Sequence, residues 1–282
     1  MGKLVDAIEK HKKDNTVIRE RLTASKFIEA GRADVENRQI GGPVSSTRVS
    51  PKLFSYTAPD SIDAEVFNVI KGHILFPKDG QRRRTIMVTS AFPGEGKTLV
   101  AANLAVNLAM GVREKVLLVD CDLRRPSLHK MLGYRNDAGL HDYLTGKRTL
   151  EELLIKTKIE KLTLLTAGKP AARPADLLAS STMKRFLADM KEKSDDLFVV
   201  LDGAPCHVMA EAAVLANYVD GIVFVIMAKR SPRQVIKEST ERLGREKILG
   251  IVFNGYTKAY KRYNRYYRKY YERGMRTAPS AS

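Results

Sequence analysis

Six short apolar runs constrain the fold of this chain more than any other feature. They read TIMVTS (85–90), KVLLVD (115–120), LTLLTAG (162–168), LFVVLD (197–202), GIVFVIM (221–227) and KILGIVFN (247–254). Each is rich in Val, Ile and Leu, and each is followed by helical patterning or turn residues. Near-continuous apolar runs suit strands covered on both faces. Strands alternating with helices make βαβ units, and so an α/β fold with a mostly parallel sheet flanked by helices. In open sheets of this kind a ligand sits beyond the carboxyl ends of the strands. Functional residues should therefore stand at the carboxyl end of each run and just past it.

After TIMVTS comes AFPGEGKT (91–98), then the helical LVAANLAVNLAM. A strand, a glycine-bearing loop, Lys-Thr and a helix make a phosphate-binding loop, with Ala91 in place of its usual first glycine. Backbone N–H groups of such a loop converge on phosphate oxygens. The nucleotide-binding candidates are Pro93, Gly94, Glu95, Gly96, Lys97, Thr98 and Leu99. Lys97 is expected to reach the β- and γ-phosphates, and the Thr98 hydroxyl to bind Mg²⁺.

KVLLVD ends in Asp120, and Asp122 follows two residues later. On extended chain both carboxylates project to one side. Two acids beside Mg²⁺ and a triphosphate can hold water on the metal or take a proton from an incoming hydroxyl. A helix cap ahead of Pro126 is the structural alternative, above all for Asp122. Asp202, at the end of LFVVLD, is the further acid that a nucleotidase of this type uses to hold Mg²⁺ through water. Asn254 ends the last run, as an adenine-recognising amide or as a turn former. Cys121 and Cys206 flank these acids and read as small packed side chains rather than a redox switch. His207 has no partner at zinc-ligand spacing.

The chain divides into four parts. Residues 1–30 carry an apolar stripe (Leu4, Val5, Ile8, Ile18, Leu22) and read as an N-terminal helical docking segment. Residues 31–60, with IGGPVSSTRVSP at their centre, read as a flexible linker. Residues 61–255 hold the strand runs. Residues 256–282 form a basic tail with seven of the eleven tyrosines: Tyr256, Tyr260, Tyr263, Tyr266, Tyr267, Tyr270 and Tyr271. Lys and Arg outnumber Asp and Glu by 49 to 32, a formal charge of +17. That charge predicts an anionic partner such as a nucleotide, nucleic acid, lipid or acidic polymer. The longest apolar stretch, 221–228, is too short to span a bilayer, and the start does not read as a secretory signal. The expected location is cytoplasmic, peripheral to the inner membrane through a partner.

With these residues in view, the chain resembles the bacterial tyrosine kinases of capsule and exopolysaccharide synthesis. PGEGKT, LLVDCDLRRP, GLHDYLTG, AGKPAARPADLL, VVLDGAP and the tyrosine cluster carry the resemblance over about residues 61–271. It implies a P-loop NTPase fold of that type, with ATP and Mg²⁺ as cofactors. It also implies autophosphorylation in trans, with a neighbour's tail tyrosine attacking the γ-phosphate. Asp120 then matches the acid that accepts the phenol proton, while Asp122 and Asp202 match the acids that organise Mg²⁺. The implied partners are further copies of the chain, a tyrosine phosphatase and a separate membrane activator of the polysaccharide co-polymerase type. Two features depart from the family. Glu65, Asn68 and Lys71 stand where ring-forming members have Glu, Arg and Arg. Gly203 and Ala204 interrupt the usual third motif.

Two other outputs are compatible with the tail. Tyr256, Tyr260, Tyr263, Tyr267 and Tyr270 follow helical spacing, which suits a binding surface on an ATPase switch or scaffold. Basic residues interleaved with aromatics also suit single-stranded nucleic acid. Nothing else in the chain resembles an RNA-binding fold, so no nucleic acid is expected.

Overall fold

The computed structural model describes residues 49–111, 115–193 and 196–255. The expected docking segment 1–30 and the seven tail tyrosines lie outside the described residues.

All six apolar runs contain strands: β1 (Thr85–Ser90), β2 (Lys115–Asp120), β4 (Leu162–Leu165), β5 (Leu197–Asp202), β6 (Gly221–Met227) and β7 (Ile248–Asn254). A seventh, β3 (Ile155–Lys156), is only two residues long and pairs antiparallel with β4. The sheet order is β3-β4-β2-β5-β1-β6-β7, and every other pairing is parallel. β1 and β5 are buried along their whole length. This agrees with their continuous apolar character.

Two hydrophobic cores lie against the sheet. One is built around Val88, Leu118, Val200 and Val225, under α3 (Lys97–Gly111). The other is built around Leu117, Leu201 and Phe224. It is covered by α8 (Ser181–Lys193), the short α5 (Leu140–Leu144), α7 (Pro174–Leu178) and α9 (Glu211–Ala216), and α10 (Arg233–Leu243). The remaining helices are α1 (Phe54–Thr57), α2 (Ile62–Leu75), α4 (Leu128–Leu132) and α6 (Leu150–Leu153).

α3 is buried on nearly every side because α1 and α2 cover the side away from the sheet. Its one fully buried polar side chain, Asn103, fastens the chain ahead of the expected domain start. Asn103 Oδ1 accepts from Ser55 N at 2.9 Å, and Nδ2 donates to the Lys52 carbonyl at 3.0 Å. Ser50 N donates to the Met131 carbonyl, and Leu53 is fully buried. Leu53 and Ser55 are therefore seated against the core within the stretch 31–60 that reads as a linker. The reason is physical: a Leu side chain seated in the core and a buried amide outweigh the loop-like composition around them. α2 then begins where its signals put it, with the Ser61 hydroxyl accepting from Ala64 N at 3.1 Å and Asp63 and Glu65 in its first turn.

Candidate nucleotide and phosphoryl-transfer site

The site forms at the carboxyl ends of β1, β2 and β5. Asp120 and Asp202 are register partners on adjacent parallel strands, so both carboxylates stand at one level. The loop 91–98 leaves β1 beside them. It turns through Gly94 (φ +79°) and Gly96 (φ +97°), left-handed conformations that favour glycine. At Gly96 a Cβ would also lie 2.1 Å from Asn254 Nδ2, so a side chain there would displace the Asn254 amide.

Lys97 opens α3. Its ammonium is buried, 2.8 Å from Asp122 Oδ2 and 3.9 Å from Asp202 Oδ1. Burial works against its charge, but Asp202 and Asp122 outweigh burial and hold it protonated. The Thr98 hydroxyl meets that of Ser127 at 3.0 Å.

The two acids after β2 have different surroundings. Asp120 is fully buried, with Oδ2 accepting from Ser127 N at 3.0 Å and Leu128 N at 3.1 Å, and Oδ1 from Asp122 N. It thereby caps the start of α4, the role that spacing alone suggests more readily for Asp122. Burial, then the charge of Asp202, raises its proton affinity above the ordinary carboxylate range, against those N–H groups. Asp122 instead holds Lys97 and accepts from Arg125 N at 3.0 Å. Asp202 is also fully buried, and neither of its oxygens has a hydrogen-bond partner among the described residues.

Two residues read as nucleotide contacts act differently through their side chains. Glu95 turns inward and is fully buried. Its Oε2 accepts from Phe92 N at 2.8 Å, and its Oε1 from Met227 N at 3.1 Å and from the Ser231 hydroxyl. Asn254 donates to the Glu95 carbonyl at 2.9 Å and accepts from Gly255 N at 2.9 Å. Both ends of its amide are engaged on the protein, one on the loop and one in a turn. Pro93 and Gly94 are exposed, and Leu99 is partly buried. Cys121 and Cys206 are free thiols packed in the interior, in line with the structural reading.

These residues fit a magnesium–nucleotide. Mg²⁺ keeps water and takes one or two carboxylates plus phosphate oxygens rather than a full protein cage. The orphaned Asp202 oxygens and the Thr98 hydroxyl offer such donors. Among the described residues no three His, Cys, Asp or Glu groups form a metal cage. Sequence reasoning missed the pair Arg124–Glu211, joined at 2.6 Å in the same region. Their separation of 87 positions hides the contact.

Residues 86–278 match the CobQ/CobB/MinD/ParA nucleotide binding domain. The tyrosine-protein kinase YwqD of Bacillus subtilis (strain 168) is 34% identical over 211 residues, 74% of this chain and 88% of that protein. The tyrosine-protein kinase ptk of Acinetobacter johnsonii is 28% identical over 86% of this chain, but only 32% of that protein. The crystal structure of the VpsO kinase domain superposes with a TM-score of 0.61 at 33% identity, over 68% of this chain and 94% of that one. A phosphate-loop motif after β1, three acids at neighbouring strand ends and these likenesses have one common explanation: the chain belongs to the CobQ/CobB/MinD/ParA nucleotide-binding family and, within it, to the bacterial tyrosine kinases of capsule and exopolysaccharide synthesis.

Proposed function

We propose that this kinase uses ATP to phosphorylate its own C-terminal tyrosines in trans, and so regulates polysaccharide synthesis or export. One observation carries the reading. Lys97, Asp120, Asp122 and Asp202 converge at the end of the phosphate loop, where a γ-phosphoryl group and a phenol could meet.

In this mechanism the loop amides and Lys97 bind the phosphates. Lys97 leaves Asp122 for the nucleotide, which frees that carboxylate. Thr98, Asp122 and Asp202 would hold Mg²⁺, which when bound neutralises phosphate charge. The tyrosine oxygen bonds to the γ-phosphorus as the bond to the bridging oxygen breaks, and ADP leaves with the electron pair. The phenol proton goes to Asp120, whose raised proton affinity suits it to a base. Asp122 is the second reading for the base, because Asp120 is fully covered and already accepts three N–H groups.

The acceptors are Tyr256, Tyr260, Tyr263, Tyr266, Tyr267, Tyr270 and Tyr271. From Tyr256 to Arg276 the tail has eight basic residues and one acid, +7 overall, which draws it to a site of carboxylates and phosphates. No described helix is long and apolar enough to cross a membrane. A separate membrane activator would hold the kinase at the inner face, with residues 1–30 as the docking element, and a tyrosine phosphatase would reset the tail. The test is peptide mass spectrometry of purified protein with and without phosphatase. Phosphotyrosine within 256–271 is expected; its absence after incubation with Mg-ATP overturns the proposal.

A further inference from the structure

Arg124 lies two residues after Asp122, inside the turn that Asp122 closes by accepting from Arg125 N. Its Nε donates to Glu211 Oε1 at 2.6 Å. Glu211 is 1% exposed, and its other oxygen is buried without a hydrogen-bond partner. The Arg124 side chain is 46% exposed, and among the described residues its two Nη nitrogens make no hydrogen bond. A guanidinium carries five N–H donors in a rigid fork. Here a buried carboxylate grips the one donor at the neck of the fork and leaves the other four without a hydrogen bond on a half-exposed side chain. The arrangement fixes the direction of a cation without neutralising its outer edge. That edge has the geometry for two oxygens of one phosphate.

We propose that Arg124 is a phosphoryl-binding fork, with Glu211 as its positioning residue. The proposal rests on the kinase reading and adds a contact to it. As the tyrosine oxygen bonds to phosphorus and the bridging bond to ADP breaks, negative charge stays on the three non-bridging oxygens. Lys97 serves that charge from the phosphate loop, and Arg124 serves it from the wall carrying the acids. The ligand is therefore the terminal phosphoryl group of the triphosphate, held in the bound state and during transfer.

The test uses the full chain with three changes: Arg124→Lys, Glu211→Gln, and the neutral pair Arg124→Gln/Glu211→Gln. The neutral pair avoids leaving a buried carboxylate alone. Arg124→Lys and the neutral pair should each lower phosphotyrosine turnover ~100-fold. The preference for ATP over ADP in equilibrium binding should fall ~10-fold in both, with ADP affinity itself changed less than ~3-fold. Glu211→Gln should cost ~10-fold in turnover, and almost nothing once Arg124 is already Lys. A neutral pair that keeps turnover within ~3-fold of the parent overturns the proposal, because a merely structural pair survives joint neutralisation. An unchanged ATP-to-ADP ratio overturns it as well, whatever the turnover. A parent protein that makes no phosphotyrosine would sink the kinase reading alone, and the binding ratio would still judge Arg124.

Discussion

The phosphate loop and the acid-bearing wall face the same space but are built in opposite ways. The loop is satisfied from behind. Glu95 gathers two backbone N–H groups and a hydroxyl, and Asn254 ties the Glu95 carbonyl to the end of β7. The wall is satisfied at its root, where Asp120 caps α4, and unsatisfied at its face. Neither Asp202 oxygen has a hydrogen bond, although Lys97 stands 3.9 Å from one, one Glu211 oxygen has none, and Arg124 presents an unbonded edge. Buried carboxylate oxygens without hydrogen bonds are costly, so those of Asp202 and Glu211 need a reason. The contrast teaches that the binding half is preorganised, while the chemical half waits for partners that come with the ligand.

Lys97→Met breaks the comparison most severely, because Lys97 carries the ion pairs from the loop to the acids of the wall. Tail phosphorylation should fall by ~1000-fold or more. The ligand-free protein should also lose about 3 kcal/mol, since Asp122 and Asp202 would be left buried without their cation. Thermal melts alongside phosphotyrosine mass spectrometry check both, and intact tail phosphorylation would refute the assignment of the loop.

Asp120→Asn probes the wall alone. It should keep nucleotide binding and cut transfer by about 100- to 1000-fold, because an amide cannot take the phenol proton. If Asp122→Asn shows that pattern instead, the more accessible acid is the base. Calorimetric nucleotide titration with single-turnover transfer separates the two. Glu95→Ala probes the back of the loop. Three part-buried donors lose their acceptor at once, so about 3 kcal/mol of stability should go, with nucleotide affinity. Asn254→Ala removes one brace and should cost about 1 kcal/mol.

These contrasts also show which parts of the molecule could be read from sequence. Strands and loop were legible because their signals are local: a run of branched apolar residues, a glycine turn, a Lys-Thr at a helix start. β3 was not, because two residues carry no period. The inward turn of Glu95 was not, because its partners lie at 227 and 231. Asp120 and Asp122 could be paired from their spacing, but only the fold decides which one caps α4 and which holds Lys97. The seating of Leu53 and Ser55 had one faint trace, the asparagines within an apolar helical stretch, of which Asn103 has partners about fifty residues before it.

The smallest expected effect lies at the other end of the same strands, where the comparison predicts none on chemistry. Asp220 precedes β6 and accepts from Arg84 N at 3.0 Å, Thr85 N at 2.9 Å and the Thr85 hydroxyl at 2.7 Å, while Lys191 stands at 2.6 Å. Burial pushes its proton affinity up, but Lys191 and Thr85 outweigh burial and hold it below the usual carboxylate value. A folded-state value below the unfolded one means stability present at neutral pH and lost as pH falls through the folded value. Asp220→Asn should therefore melt about 2–4 °C lower at pH 7, a modest drop for a partly solvated carboxylate. Parent and variant should converge as the pH falls through the folded value, below the ordinary carboxylate range. Nucleotide affinity and turnover should be unchanged, because Asp220 clamps the amino end of β1 and the site lies beyond its carboxyl end. A turnover loss in this variant would mean that strain at the root of β1 reaches the phosphate loop, and the two walls could then no longer be treated as separate.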